Sequence, residues 1–337
     1  MVPESTRRTA HAAQHFERSL SDDRIPLVAK VAKLYHEGRC RQSEIAERLN
    51  LSQSKVSRLL RQAEESGIVR TVVISPKGLF SDMELALAER YGLLDAVIAE
   101  NITDDEYSLL AALGAAGAAY LEDTLTPTER IGISSWSSAL LATVGSMAPH
   151  TTATLASEIV QVLGGVGHPD VQVQADNLAA QLGAVTGGAV HFFPAPGLVG
   201  SERACQALMN DSYIGEVTPE WDGLTTLLAG IGALHPSWLL AQSGNSLRES
   251  DAQILQEAGA VGDVCMRFFD RDGRPVESDV DRRVVGIDRD RLMAVPRRVG
   301  VAGGRRKWDA VRAALVGGWI NVLITDRETA QQLLENK

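Results

Sequence analysis

Apolar positions recur at steps of three and four through residues 25–36, IPLVAKVAKLYH. Val28, Val31, Ala32 and Tyr35 share one stripe, which predicts a helix ended by Gly38. The same period returns over 42–60, QSEIAERLNLSQSKVSRLL, in two phases that break at Asn50. Ile45, Leu49 and Leu51 supply the buried side of the first phase and its turn; Val56, Leu59, Leu60 and Ala63 supply the second. Ala46 is small where two helices would cross closely, and Asn tolerates the left-handed backbone of a tight turn. Ser54, Ser57, Arg58 and Arg61 recur with helical spacing on the polar side, and Ser52 or Ser54 caps the helix through its hydroxyl. Gly67 ends that helix. The β-branched run IVRTVVIS (68–75) then predicts a short strand, with Arg70 either touching a phosphate or standing as a solvated edge charge.

Beyond Pro76-Lys77-Gly78 the pattern changes to alternation. Strand-like runs fall at 94–99, 130–134, 157–163, 224–231 and 263–269, and again in RVGVAGG and WINVLIT. Helical stretches fall at 82–91, 105–123, 137–147, 171–183 and 247–258, and in RKWDAVRAAL and DRETAQQLL. Strands alternating with helices predict a parallel sheet covered on both faces. The chain therefore divides into a polar, disordered leader at 1–23, a helical module with a closing strand at 24–75, a linker at 76–80 and an α/β domain at 81–337.

Helix, tight turn, helix and strand in the first module are the parts of a winged helix-turn-helix, whose second helix enters a major groove. Ser52, Gln53, Ser54, Lys55, Ser57, Arg58 and Arg61 are its candidate DNA contacts. The competing reading is an ordinary amphipathic helix pair with a solvated polar face. Charge bears on the choice. The whole chain carries −10, which on its face argues against nucleic acid. Residues 24–74 hold ten Lys/Arg against five Glu, a local +5 that leaves −15 for the remainder. A basic module on an acidic body steers toward DNA while the body is kept off it.

At 337 residues, 45% hydrophobic and 23% charged, the chain has the composition of a globular protein with room for two domains. Cys40, Cys205 and Cys265 are odd in number and far apart, with no CxxC, which points to a reducing compartment such as the cytoplasm without structural disulfide or zinc. The seven histidines show no HxxxH or HExxH spacing, so no metal is expected. Apolar runs are broken well short of a membrane span.

Ligands of parallel α/β sheets bind beyond the C-terminal strand ends. Four loops there are rich in glycine and small polar residues: Gly132-Ile133-Ser134-Ser135-Trp136-Ser137-Ser138, Gly164-Gly165-Val166-Gly167, Gly230-Ile231-Gly232 and Ala302-Gly303-Gly304. Glycine lets a backbone come close, serines donate, and a helix N-terminus such as that at Ser137-Ser138 offers free N–H groups, so a phosphate is the natural guest. Lys307 in the first turn of RKWDAVRAAL runs against the helix dipole, which a bound anion would explain; the alternative is that it is solvated, like Arg305 and Arg306 beside it. Asp263, at a junction before the apolar run VCMRFF, is placed either to accept bonds from sugar hydroxyls or to cap a turn. Asp270, before Arg271-Asp272-Gly273, reads as a hairpin turn residue. Enzyme signatures are poor. GISSW is not GxSxG, since Trp136 replaces the second glycine, and neither GxxxxGK[ST] nor GxGxxG after a strand occurs.

In order along the chain, EIAERLNLSQSKVSRLLRQAEESGIVR, GISSW, QVLGGVG, GIGAL, AGAVGDVCMRFFDRDG, VAGGRRKWDAVRAAL and INVLITDRETAQQLL resemble the SorC family of sugar-responsive transcriptional regulators, often grouped with DeoR-type regulators. The likeness runs from about residue 24 to 334. It implies a winged helix-turn-helix followed by a Rossmann-like effector domain, related in fold to sugar-phosphate isomerases, deaminases and CoA-transferases but used for binding. It implies operator DNA, a phosphorylated sugar or related metabolite and a homotetramer as partners, with no cofactor and no membrane. It places the phosphate-contacting loop on Ser135 to Ser138, the lysine on Lys307 and the acidic contact on Asp263; the glycine-rich loops read above add Gly132, Ser134, Gly164, Gly165, Val166, Gly232, Gly303 and Gly304 to the candidate effector site. One departure matters: many relatives carry WGxT where this chain has Trp136-Ser137-Ser138-Ala139, which leaves an unphosphorylated polyol open as effector. The rival classes are a sugar-phosphate enzyme that carries a DNA module and a constitutive DNA-binding scaffold.

Overall fold

In the computed structural model, residues 25–69, 80–100, 105–134, 137–148, 154–165, 170–234 and 247–335 are described. Contacts divide the chain into two compact units, Met1–Ser75 and Pro76–Lys337.

The first unit holds α1 (Ile25–His36), α2 (Gln42–Arg48) and α3 (Gln53–Glu65). Val28, Val31, Ala32, Ile45, Ala46, Val56, Leu59, Leu60 and Ala63 form one buried cluster; of the other positions read as apolar stripe, Leu49 and Leu51 are half-buried against it and Tyr35 is exposed. Asn50 takes φ 51° in the turn between α2 and α3. Ser52 caps α3, its hydroxyl accepting from Lys55 N–H at 3.3 Å, and Gly67 follows the helix at φ 71°. Gly38 does not supply the left-handed residue after α1; Arg39 does, at φ 50°, while a Cβ on Gly38 would crowd the Leu34 carbonyl at 2.7 Å. The wing expected over 68–75 lies outside the described residues from 70 onward, as do the leader and 76–79 of the linker.

The second unit opens with α4 (Ser81–Tyr91) and builds a seven-stranded parallel sheet in the order β1-β10-β9-β5-β2-β3-β4. The strands are β1 (Asp95–Ala99), β2 (Arg130–Ile133), β3 (Glu158–Gln161), β4 (Ala189–His191), β5 (Thr226–Gly230), β9 (Arg297–Val301) and β10 (Val322–Asp326). Between them come α5 (Glu106–Thr124), α6 (Ser138–Ser146), α7 (Asp170–Thr186), α8 (Glu202–Met209), α9 (Ile214–Val217), α10 (Glu249–Glu257), α11 (Asp279–Arg282), α12 (Arg289–Ala294) and α13 (Trp308–Val316), and α14 (Arg327–Glu335) follows β10. Alternate residues of the central strands enter two separate cores. Ile131, Ile133, Leu228, Val299 and Ile324 meet α5, α6 and α7; Leu227, Ala229 and Leu323 meet α13 and α14. The expected sheet with two covered faces is thus present.

Two features depart from the sequence reading. The run 263–269 is not one strand. Ala260–Val264 (β7) and Arg267–Asp270 (β8) form an antiparallel hairpin, joined by β6 (Gly232–Ala233) into a second, three-stranded sheet. Cys265 and Met266 turn the hairpin at φ 53° and 61°, the double left-handed geometry of a two-residue turn, without the glycine or asparagine that usually signals it. Asp270 does serve a turn, its Oδ1 accepting from Asp272 and Arg274 N–H at 2.9 Å each. The segment between β4 and β5, for which the sequence reading gave no element, holds α8, α9 and a 3-10 turn at Thr218–Gly223 that buries Trp221.

Candidate functional site

On α3 all seven candidate DNA contacts, Ser52, Gln53, Ser54, Lys55, Ser57, Arg58 and Arg61, are exposed, while the opposite stripe is sealed in the core. The helix shows its polar side to solvent, as a reading helix must. Lys33 of α1 pairs with Glu37 just beyond it at 3.6 Å.

In the second unit the chain steps outward from β2 to β3 and β4, then returns with β5 on the other side of β2. This reversal is a topological switch point, where open parallel sheets leave a crevice at their C-terminal strand ends. The loops after β2, β5 and β9 all emerge there, on three adjacent strands. Side chains draw two of them onto the residues that follow β5. Ser137 caps α6, accepting from Leu140 N–H at 3.1 Å, and a Cβ built on Gly230 would stand 3.0 Å from its Oγ. Lys307 Nζ donates to the Ile231 carbonyl at 2.7 Å. A Cβ on Gly232 would overlap Asp263 Oδ1, which reaches the crevice from β7. Thus Ser137, Asp263 and Lys307 converge on 230–232 from three directions.

Electrostatics mark the same spot. Burial pulls Lys307 down to about 8, against the opposing pull of Asp263. Burial pushes the Asp263 carboxyl up from its ordinary value, opposed by the Met266 N–H on its Oδ2 at 3.0 Å and by Lys307. A cation and an acid that each lean toward neutrality, side by side in a crevice, are what a polar ligand's hydroxyls or anionic group would relieve. Removing the acid's charge with Asp263→Asn is expected to lower Lys307 below about 8, measured by NMR titration of the lysine amine.

Several predicted members stand elsewhere or act otherwise. Gly132 lies inside β2 rather than in a loop; a Cβ there would meet the Leu224 side chain at 2.7 Å and that of Val162 at 3.0 Å, so packing favours glycine. Asp263 stands within β7 and secures the hairpin turn, not a loop leading into a strand. Gly304, at φ 87°, aims its N–H inward at Asp326 (2.7 Å) and Thr329 (3.1 Å). Gly303 abuts the same carboxylate. Lys307 ends a 3-10 turn, Arg305–Lys307, ahead of α13 rather than within it. Arg305 pairs with Glu328 at 3.1 Å and Arg306 with Glu106 at 3.5 Å, both exposed pairs of small energetic weight. Ser134 is buried at the end of β2, Ser138 begins α6, and Gly164 and Gly165 are buried after β3, where Gly165 accepts from Gly197 N–H. Ser135, Trp136 and Val166 lie outside the described residues. Asp326 and Thr329 were not singled out from the sequence; Asp three residues before Thr at a strand–helix junction is the capping signal that marks them.

A family model described as "Putative sugar-binding domain" matches residues 77–335, and a domain of unknown function matches 28–74. The chain belongs to the SorC family of sugar-binding transcriptional regulators. Among its SorC-family relatives is the deoxyribonucleoside regulator of Bacillus subtilis, 30% identical over 92% of this chain and 97% of the relative. Another is the sorbitol operon regulator of Klebsiella pneumoniae, 29% identical over 94% and 99%. The crystal structure of the full-length regulator SorC from Klebsiella pneumoniae matches with a TM-score of 0.69 at 28% identity, over 94% of this chain and all of that one. The relatives are named as regulators, and no described helix is long and apolar enough to cross a membrane.

Proposed function

We propose that this chain is a transcriptional regulator of carbohydrate or polyol catabolism. A sugar or polyol, phosphorylated or not, would occupy the crevice around Ile231, Asp263 and Lys307 and change the affinity of α3 for an operator. The convergence of Ser137, Asp263 and Lys307 on residues 230–232 carries the reading. The names of the relatives, a deoxyribonucleoside regulator and a sorbitol operon regulator, agree with it. In this reading the site holds its guest rather than turning it over, with Asp263 accepting from the Met266 amide and Lys307 donating to the Ile231 carbonyl. The division into a head at 24–75, a linker at 76–80 and an effector domain at 81–337 belongs to the same proposal. So do a cytoplasmic location and a homotetramer on palindromic DNA.

A thermal-shift panel of sugar phosphates and free polyols tests the site, and gel shift of the native promoter with and without the hit tests the switch. A stabilising hit that changes operator affinity is the expected result; a panel without any shift overturns the reading. For the head, Arg58→Ala is expected to remove about 1–3 kcal/mol of base discrimination while weak, salt-sensitive binding persists. Titrations against operator and scrambled DNA check this: an unchanged affinity ratio rules Arg58 out as a base contact.

A further inference from the structure

Asp326 closes β10 and begins α14 with its carboxylate buried, 2% exposed. Oδ2 accepts from Gly304 N–H at 2.7 Å and from the Thr329 hydroxyl at 2.6 Å; Oδ1 accepts from Thr329 N–H at 3.0 Å. Thr329 is fully buried, and its oxygen also receives Gly304 N–H at 3.1 Å and the Trp308 indole N–H at 3.2 Å. Gly304 and Trp308 bracket Lys307, whose own N–H donates to the Gly304 carbonyl at 2.9 Å. The segment therefore leaves β9, is caught at Gly304, forms one 3-10 turn and is caught again at Trp308. Both anchors are the same carboxylate–hydroxyl pair. Gly303 is part of the device, since any Cβ there would overlap Asp326 Oδ2.

We propose that Asp326, acting through Thr329, is a positioning residue of the effector site: it holds the 303–308 turn so that the Lys307 ammonium stands against the Ile231 carbonyl and beside Asp263. The proposal rests on the reading that this crevice takes the effector. A lysine has four rotatable carbons and a strongly hydrated head, so a loosened turn lets the ammonium swing into water. A ligand-contacting group stays in place only when the groups behind it are locked. Asp326 bonds Gly304 and Thr329, so it works on the turn that carries the lysine.

The readout is the titration of Lys307 in the full-length, effector-free protein, followed by NMR of amines labelled by 13C reductive methylation and assigned with Lys307→Arg. The wild type is expected to titrate at about 8. Asp326→Asn sets an amide donor against a donor, and Thr329→Val removes one oxygen. In either, the midpoint is expected to climb by about one unit or more toward the ordinary lysine value as the amine returns to water. Thr329→Ser restores the hydroxyl and with it the wild-type midpoint. A merely structural role lowers melting temperature and leaves the midpoint alone. A midpoint that stays at about 8 in folded Asp326→Asn or Thr329→Val overturns the proposal; should Asp326→Asn not fold, Thr329→Val and its serine rescue decide. Because no effector enters the measurement, failure of the thermal-shift panel and failure of this positioning role are separate results.

Discussion

Lys307→Met is expected to abolish effector control of operator binding and to leave effector-free operator affinity unchanged. The substitution keeps the aliphatic stem and deletes the ammonium. A hydrogen bond to a charged group contributes about 1.5–3 kcal/mol, so effector affinity should fall by about 10- to 150-fold. Isothermal calorimetry with the hit from the thermal-shift panel measures it; wild-type affinity in Lys307→Met removes the lysine from the site. The pH dependence has a definite sign. Burial holds Lys307 at about 8, below its ordinary 10.5, so between those values the unfolded chain binds more protons than the folded one. Stability of the unliganded protein therefore rises with pH through that window, and the cost of the buried ammonium is felt in full below about 8. An anionic effector reverses this by favouring the ammonium. Its binding should take up protons above about pH 8, with affinity falling by up to about tenfold per pH unit. Calorimetry in two buffers of different ionisation enthalpy detects the proton uptake, and Lys307→Met should show none.

Asp251→Ala is expected to destabilise the effector domain by about 3–5 kcal/mol, the cost of leaving a buried charge without its partner. Arg283 is 8% exposed and Asp251 6%, and they meet at 2.6 Å. Burial works against the guanidinium's charge, but Asp251 and Asp279 overcome it and hold Arg283 above its ordinary value. The same side chain donates to the Val199 carbonyl at 3.2 Å and to Asp279 at 2.9 Å, so it fastens α10, α11 and the 199 loop together. Urea denaturation followed by tryptophan fluorescence reads the change, since all five tryptophans lie beyond residue 75. The double variant Asp251→Leu/Arg283→Met should recover much of the loss, because an apolar pair removes both desolvation costs. If Asp251→Ala costs less than about 1 kcal/mol, the size of an exposed pair, the network is not held together by charge.

The head was legible because local signals agree there. Helical period, Asn50 and the Ser52 cap each specify the same three helices, and the structure needs nothing distant to form them. The alternation of strands and helices was legible for the same reason. Gly132 misled because a glycine beside serines after an apolar run looks the same whether a phosphate or the Leu224 side chain lies against it. The β7–β8 hairpin was hidden because Cys265 and Met266 carry no turn signal; their left-handed geometry is accepted with the Asp263 carboxylate bonded to the Met266 N–H. The clamp at Asp326 joins residues 22 positions apart, a pairing that sequence spacing does not display. Convergence on Ile231 likewise spans 76 positions between Lys307 and its carbonyl.

The pairing of β1 with β10 bears on how the molecule is made. Asp95 stands opposite Val322, and Ala99 opposite Asp326. During synthesis β1 stays without this neighbour until Val322, 227 positions beyond Asp95, has been made. The three-helix core closes between Val28 and Val69, long before that point. The three-helix core can therefore close while the sheet is still incomplete, with strand edges exposed to wrong partners. A chain truncated ahead of Val322 would keep the three-helix core and leave β1 without its partner strand.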